Sequence, residues 1–182
     1  PPSVNPIMSL SIGSSEDDER GPLVRLSRDG SKLLASGMQL IETRNYSQLC
    51  SISGFDAVDF SGGDDRIVGI NRSGDYTINS ASNCTLVRAG ESYDWNSVAW
   101  CNSRDRIALA REDIDQYDYV RIIDAAGSFS QTIRTGRPQD KIYAMDWHND
   151  RLVLAGDGNL LIMYNTSSDS YTQMWSKTGD VC

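Results

Sequence analysis

The sequence predicts an all-β protein made of a repeated four-stranded sheet, and three observations carry that expectation. Short apolar segments of about four to six residues alternate with turns rich in Gly, Asn, Asp and Ser along nearly the whole chain. The strand-and-turn paragraph Leu26 to Gly54 is written four times with changed residues, and its closing glycines, Gly54, Gly90, Gly136 and Gly179, stand 36, 46 and 43 residues apart. Within each paragraph apolar residues alternate with period two, where a helical repeat of that length would need apolar stripes at i, i+3 and i+4. A four-stranded unit every ~40–45 residues is the period of a β-propeller blade. The expected architecture is a propeller or propeller arc of four complete blades with partial strands at both ends.

Taken in order, residues 1–13 read as an orphan outer strand of a preceding blade, because Ile7 to Ile12 followed by Gly13 repeats the end of a unit. Residues 14–22 form a charged connector in which Glu16 to Arg20 are all ionisable. The blades follow at 23–54, 55–90, 91–136 and 137–179, and 180–182 opens a further one. In the first blade the strands are Val24–Leu26, Lys32–Ala35, Gln39–Thr43 and Gln48–Ser53, separated by Arg28-Asp29-Gly30, Ser36-Gly37 and Arg44-Asn45. Turn residues of this kind supply positive φ or bond their own backbone. The later blades repeat the scheme with innermost strands AVDF, SVAW and AMDW. There Val58, Phe60, Val98, Trp100, Met145 and Trp147 fall in matching places, as sheet-to-sheet core, with Asp59, Ala99 and Asp146 between them.

The two overhangs predict an arc of a ring of six to eight blades, completed by missing sequence, another chain or a symmetry mate. The alternative is a compact four-blade ring with frayed ends. Closed propellers span about four to eight blades.

Composition narrows the function. The chain has 182 residues and a net charge of -8, with no basic stripe, which speaks against nucleic acid as a partner. No apolar run approaches the ~20 residues of a membrane span, and no basic region precedes an apolar stretch as in a signal peptide. Cys50, Cys84, Cys101 and Cys182 lie in different units without CxxC spacing, which argues against zinc; they are expected at strand positions as buried free thiols. Sequons begin at Asn45, Asn71, Asn83 and Asn165, and the compartment, cytoplasmic or secreted, stays open.

LSRDGSKLLASG, residues 26–37, resembles the FSPDG-x-x-LASG stretch of WD40 repeats. YVRIID, residues 119–124, resembles a third strand of that family, with Ile123 in the tryptophan place of the Trp-Asp pair and Asp124 in the acidic one. LLIMYN, residues 160–165, carries Tyr164 and Asn165 there. The Gly-His pair is absent throughout, and His148, the sole histidine, lies on the other side of the innermost strand, so the family's buried His–Asp network is not assignable. The resemblance implies a rigid platform for protein partners.

Catalytic patterns are missing. No calcium-loop, GxSxG, Walker or GxGxxG motif occurs, and one histidine without a paired Ser or Cys motif makes no triad. The expectation is a non-enzyme without cofactor or metal. Function then belongs to loops on one face of the scaffold: GFDA (54–57), INRSG (70–74), GESYDWN (90–96), REDIDQYD (111–118) and GRPQDK (136–141). Exposed aromatics beside arginines have the composition of binding hot spots. The candidate partner-binding residues are Phe55, Arg72, Tyr93, Asp94, Trp95, Arg111, Glu112, Asp113, Asp115, Tyr117, Arg137 and Asp140. For Trp95 a core position at the blade edge is the alternative. Two rival functions stand beside a protein or peptide scaffold: a secreted glycan- or small-ligand-binding module, and the propeller part of a hydrolase catalysed elsewhere.

Overall fold

The computed structural model describes residues 24–35, 39–52, 54–90, 93–111, 117–138, 142–156, 160–168 and 171–177, with the backbone alone at 117–119, 135–138 and 175–177. The expected orphan strand, the charged connector and the opening of a further blade lie outside the described residues. Blade 1 comprises β1 (Val24–Leu26), β2 (Lys32–Ala35), β3 (Gln39–Glu42) and β4 (Gln48–Ser51). Blade 2 comprises β5 (Phe55–Phe60), β6 (Arg66–Asn71), β7 (Tyr76–Ser80) and β8 (Leu86–Ala89). Blade 3 comprises β9 (Trp95–Trp100), β10 (Arg106–Arg111), β11 (Tyr117–Asp124) and β12 (Ser130–Pro138), and blade 4 β13 (Ile142–His148), β14 (Arg151–Gly156), β15 (Leu160–Asn165) and β16 (Thr172–Lys177). Each blade is an antiparallel meander in chain order, so every strand pairs with its sequence neighbour. Among the described residues the four sheets do not close into a ring.

The innermost strands of blades 2, 3 and 4 start earlier than the four-residue segments expected, and each carries a bulge at its second residue. Phe55 pairs with Asn71 and Ala57 with Ile70, leaving Asp56 as the extra residue. Trp95 pairs with Arg111 and Ser97 with Ala110, leaving Asn96. Ile142 pairs with Gly156 and Ala144 with Ala155, leaving Tyr143. An extra residue in one strand breaks the alternation, bends the strand and re-aims a side chain. Apolar spacing therefore runs three, then two: Phe55, Val58, Phe60; Trp95, Val98, Trp100; Ile142, Met145, Trp147. All nine of these side chains are buried.

Three apolar seams join the blades. Leu34 and Leu40 of blade 1 pack with Phe55, Phe60 and Ile67 of blade 2. Val68, Ile70 and Ile78 of blade 2 pack with Trp95, Trp100 and Leu109 of blade 3. Ala108, Ala110 and Ile122 of blade 3 pack with Trp147, Leu152 and Leu154 of blade 4. Trp100 and Trp147 are the largest fully buried side chains, as their period-two position predicts. Burying such a side chain stabilises by about 1.5–3 kcal/mol. Gly69 belongs to this packing too, because a Cβ there would overlap the Phe55 ring.

Polar contacts cross the same seams. The Asp59 carboxylate accepts the Trp100 N–H (2.7 Å) and Arg25 Nε (2.9 Å), so one buried group ties blades 1, 2 and 3 together. Asp64 accepts the backbone N–H groups of Arg28 and Asp29 at 3.0 and 2.9 Å. Arg66 donates from both terminal nitrogens to Asp105 and lies 5.1 Å from the Trp100 ring centre.

Three expectations are corrected. Cys50 and Cys84 form a disulfide joining the outer strand of blade 1 to the outer corner of blade 2. They are not free thiols, because the corner turn brings the two rims together. Cys84 is also not in a strand: it occupies a turn at φ 59°, as Tyr46 does at φ 58° in the matching corner of blade 1. Gly136, Arg137 and Pro138 do not form a loop but extend β12, with Pro138 opposite Tyr117 across a register shift. Cys101 is free and buried, and Cys182 is outside the described residues.

Candidate functional site

The three bulged residues converge. Asp56, Asn96 and Tyr143 stand at the same place on β5, β9 and β13, and together with Arg25 of β1 they line a cavity of about 320 Å³. Because all four innermost strands contribute, this cavity is one mouth of the central channel. The bulges let the chain bury Phe55, Trp95 and Ile142 while sending the next residue toward the mouth. Asp56 is largely buried and lies 3.9 Å from the Arg72 guanidinium. The Asn96 side-chain oxygen is buried and accepts no hydrogen bond among the described residues. Tyr143 is 59% exposed, the most open aromatic described.

At the opposite end, Arg28, Asn102, Asp146 and His148 border a second cavity of about 490 Å³. Asn102 Nδ2 lies 3.1 Å from His148 Nδ1, joining blades 3 and 4. Between the two mouths Arg25 is held by Asp59, and the same Nη2 that meets Asp59 at 2.8 Å lies 3.6 Å from Asp146. Burial pushes the Asp59 carboxyl up from its ordinary value, against the opposing pull of Arg25 and of the Trp100 and Phe60 N–H groups.

The loop before β9 provides the second part of the site. Tyr93 is exposed, yet its ring stands edge-on to the buried Trp95 ring at 5.8 Å and 62°. The Arg121 guanidinium lies 5.6 Å from the Tyr93 centroid. Asp94 takes a left-handed turn at φ 53° and presses on Gly74 of the β6–β7 hairpin, where a Cβ would collide with the Asp94 backbone. The Trp95 N–H donates to the Gly74 carbonyl at 3.3 Å. An aromatic ring fixed this way loses little freedom on contact, which favours binding.

Of the residues expected at a partner surface, Arg72, Tyr93 and Asp94 are exposed on this face. Phe55 is corrected, and for Trp95 the core alternative holds: they open β5 and β9 ahead of the bulges and pack inward, at 8% and 3% exposure. Arg111 ends β10 and is half-buried opposite Trp95. Tyr117 and Arg137 belong to β11 and β12 and are described by their backbone alone. Glu112, Asp113, Asp115 and Asp140 lie outside the described residues. Asp56, Asn96 and Tyr143 were missed, although the three-then-two spacing marks their bulges. Among the described residues no group of three or more His, Cys, Asp or Glu side chains is placed to hold a metal ion, and no helix is long and apolar enough to cross a membrane.

No family model and no curated protein sequence matches this chain. Solved structures do. A structure of U3-55K superposes with a TM-score of 0.68 at 15% identity, over 84% of this chain and 50% of that one. The RRP9 WD40 repeats give 0.68 at 16% identity over the same shares. Hydrazine synthase from Kuenenia stuttgartiensis gives 0.69 at 13% identity, over 91% of this chain and 53% of that one. The chain thus spans about half the length of the structures it matches. Identities this low carry the fold and nothing finer: the described residues form four blades of a β-propeller arc.

Proposed function

We propose that the chain is a non-catalytic scaffold that presents the face bearing Asp56, Asn96, Tyr143, Tyr93 and Arg72 to a protein or peptide, as part of a larger propeller. The observation that carries this reading is the repeated bulge, which spends one residue per blade on the channel mouth at the same register position in three blades. Bulges concentrate where a side chain must be aimed. The acceptor groups of Asp56 and Asn96, on a chain of net charge -8, suit a partner segment that offers hydrogen-bond donors or positive charge. Tyr93 and Tyr143 supply the aromatic contacts that carry most of the energy of such interfaces.

Arc membership is supported by uncovered apolar side chains. Val24 and Leu26 of β1 are 54% and 55% exposed, while their counterparts Val58, Phe60, Val98, Trp100, Met145 and Trp147 are at most 8% exposed. A face with the same residue types as three covered ones is suited to the same covering.

The test is selection of displayed peptides against the wild-type chain, followed by binding to Asn96→Ala, Tyr93→Ala and Tyr143→Ala. A loss of tenfold or more for at least two variants is expected, with unchanged circular dichroism. Equal binding to all three would sink the proposed face, and enrichment on a glycan array by that face would replace the peptide with a sugar.

A further inference from the structure

We propose that two copies of this chain close one eight-blade ring, with the open face of blade 4 in each copy seated on the open face of blade 1 in the other. This rests on the arc reading above and names the occupant of its two open faces.

One side-chain contact keeps the same direction across all three internal seams. At each seam, the cation that begins a blade's second strand reaches forward to an oxygen of the next blade. Lys32 Nζ donates to the Asp64 carbonyl at 2.9 Å. Arg66 donates to the Asp105 carboxylate at 3.0 and 3.2 Å. Arg106 donates to the Tyr171 hydroxyl at 3.1 Å. Arg151 begins the second strand of blade 4 and is exposed, with the Met174 sulfur, a weak acceptor on its own blade, in place of a forward oxygen.

The apolar residues follow the same direction. In blade 2, Val68 and Ile70 face forward and are fully covered by blade 3, as Ala108 and Ala110 are by blade 4. Val153 and Ala155 occupy those register positions in blade 4 and are only half-buried. Blade 1 offers the complementary backward face: Val24 and Leu26 uncovered, and a turn carrying Asp29. Asp29 is exposed and accepts bonds from Ser27 and from the backbone and hydroxyl of Ser31. The two free faces therefore match in direction, in apolar character and in charge. Two arcs of four blades make eight, within the known range of about four to eight.

Sedimentation equilibrium of the full chain tests this. Wild-type chain is expected at twice its 20.1 kDa mass at tens of micromolar. Arg151→Glu and Leu26→Lys are each expected to weaken association at least tenfold, with unchanged circular dichroism, since both side chains are exposed within one copy. A wild-type monomer, or a dimer indifferent to both substitutions, overturns the proposal. Maleimide labelling of Leu26→Cys, in a background with Cys101→Ser and Cys182→Ser, separates the two failures. A monomer that labels rapidly keeps the arc and gives its faces to a different occupant, whereas a monomer protected from labelling removes the arc reading as well.

Discussion

Two tryptophans in matching positions differ in one hydrogen bond, and that difference is measurable. Trp147 Nε1 donates to Thr166 Oγ1 at 3.1 Å, and Thr166 is itself buried. Trp100 Nε1 is buried and donates to no acceptor among the described residues. Phenylalanine keeps most of the apolar area at either place but removes the donor. Trp147→Phe then strands a buried acceptor and is expected to cost about 1–3 kcal/mol beyond the lost volume. Trp100→Phe strands nothing, so it is expected to destabilise less. Urea titrations of the two variants decide it, and the reverse order would contradict the hydrogen-bond assignment. Asp59 adds a pH dependence whose sign follows from burial. Its folded carboxyl titrates above the ordinary value, so its contribution is fullest below that value and is lost as pH rises through the raised one. Asp29 runs the other way. Hydrogen bonds from the Ser31 backbone, the Ser31 hydroxyl and Ser27 hold it down to about 2, so its contribution is present above the ordinary carboxylate range and fades as pH falls toward that value. The stability of wild type relative to Asp59→Asn is thus expected to decline from about pH 4 upward. A difference that grows with pH would overturn the assignment.

At the scale of elements, the number and order of strands within each sheet were legible because period two and turn chemistry are local signals. Val58, Phe60, Val98, Trp100, Met145 and Trp147 are core, as their alternation implied. Phe55 was misplaced, and Trp95 had two readings, because a tripeptide window centred on Asp56 or Asn96 looks like a polar loop, whereas the pairing with β6 and β10 continues across it. Arg137 and Pro138 were misplaced for a related reason: Gly and Pro mark a turn locally, but β11 supplies a partner that carries the strand through. The Cys50–Cys84 pair had no sequence signal at all, since it depends on how two rims meet. That bridge spans a sequence separation of 34 and ties blade 1 to the rest of the arc. Cys84→Ser, or reduction, is expected to lower stability by about 2–4 kcal/mol. Melting with and without reductant measures it, and no shift would mean that the two rims are held by packing alone.

On the scale of the whole molecule, an arc of stacked blades behaves as a one-dimensional array in which each unit is stabilised by its two neighbours. Blades 2 and 3 have both faces covered, whereas blade 1 leaves Val24 and Leu26 in solvent and blade 4 leaves Val153 and Ala155 partly so. Blade 1 is also the slightest, with strands of three and four residues against six in β5, β6, β9 and β10. Local opening scales with missing apolar cover. In hydrogen exchange β6 and β10 are therefore expected to be the slowest strands, β14 faster, and β1 and β2 fastest. Covering the open faces adds a neighbour to the end blades only. Raising the protein concentration through the association range should slow exchange in β1, β2, β14 and β15 and leave β6 and β10 unchanged. Slowing spread evenly over all four blades would point to global stabilisation, in conflict with an array joined at its ends. Slowing confined to Tyr93 and the β6–β7 hairpin would mean that copies meet through the partner face.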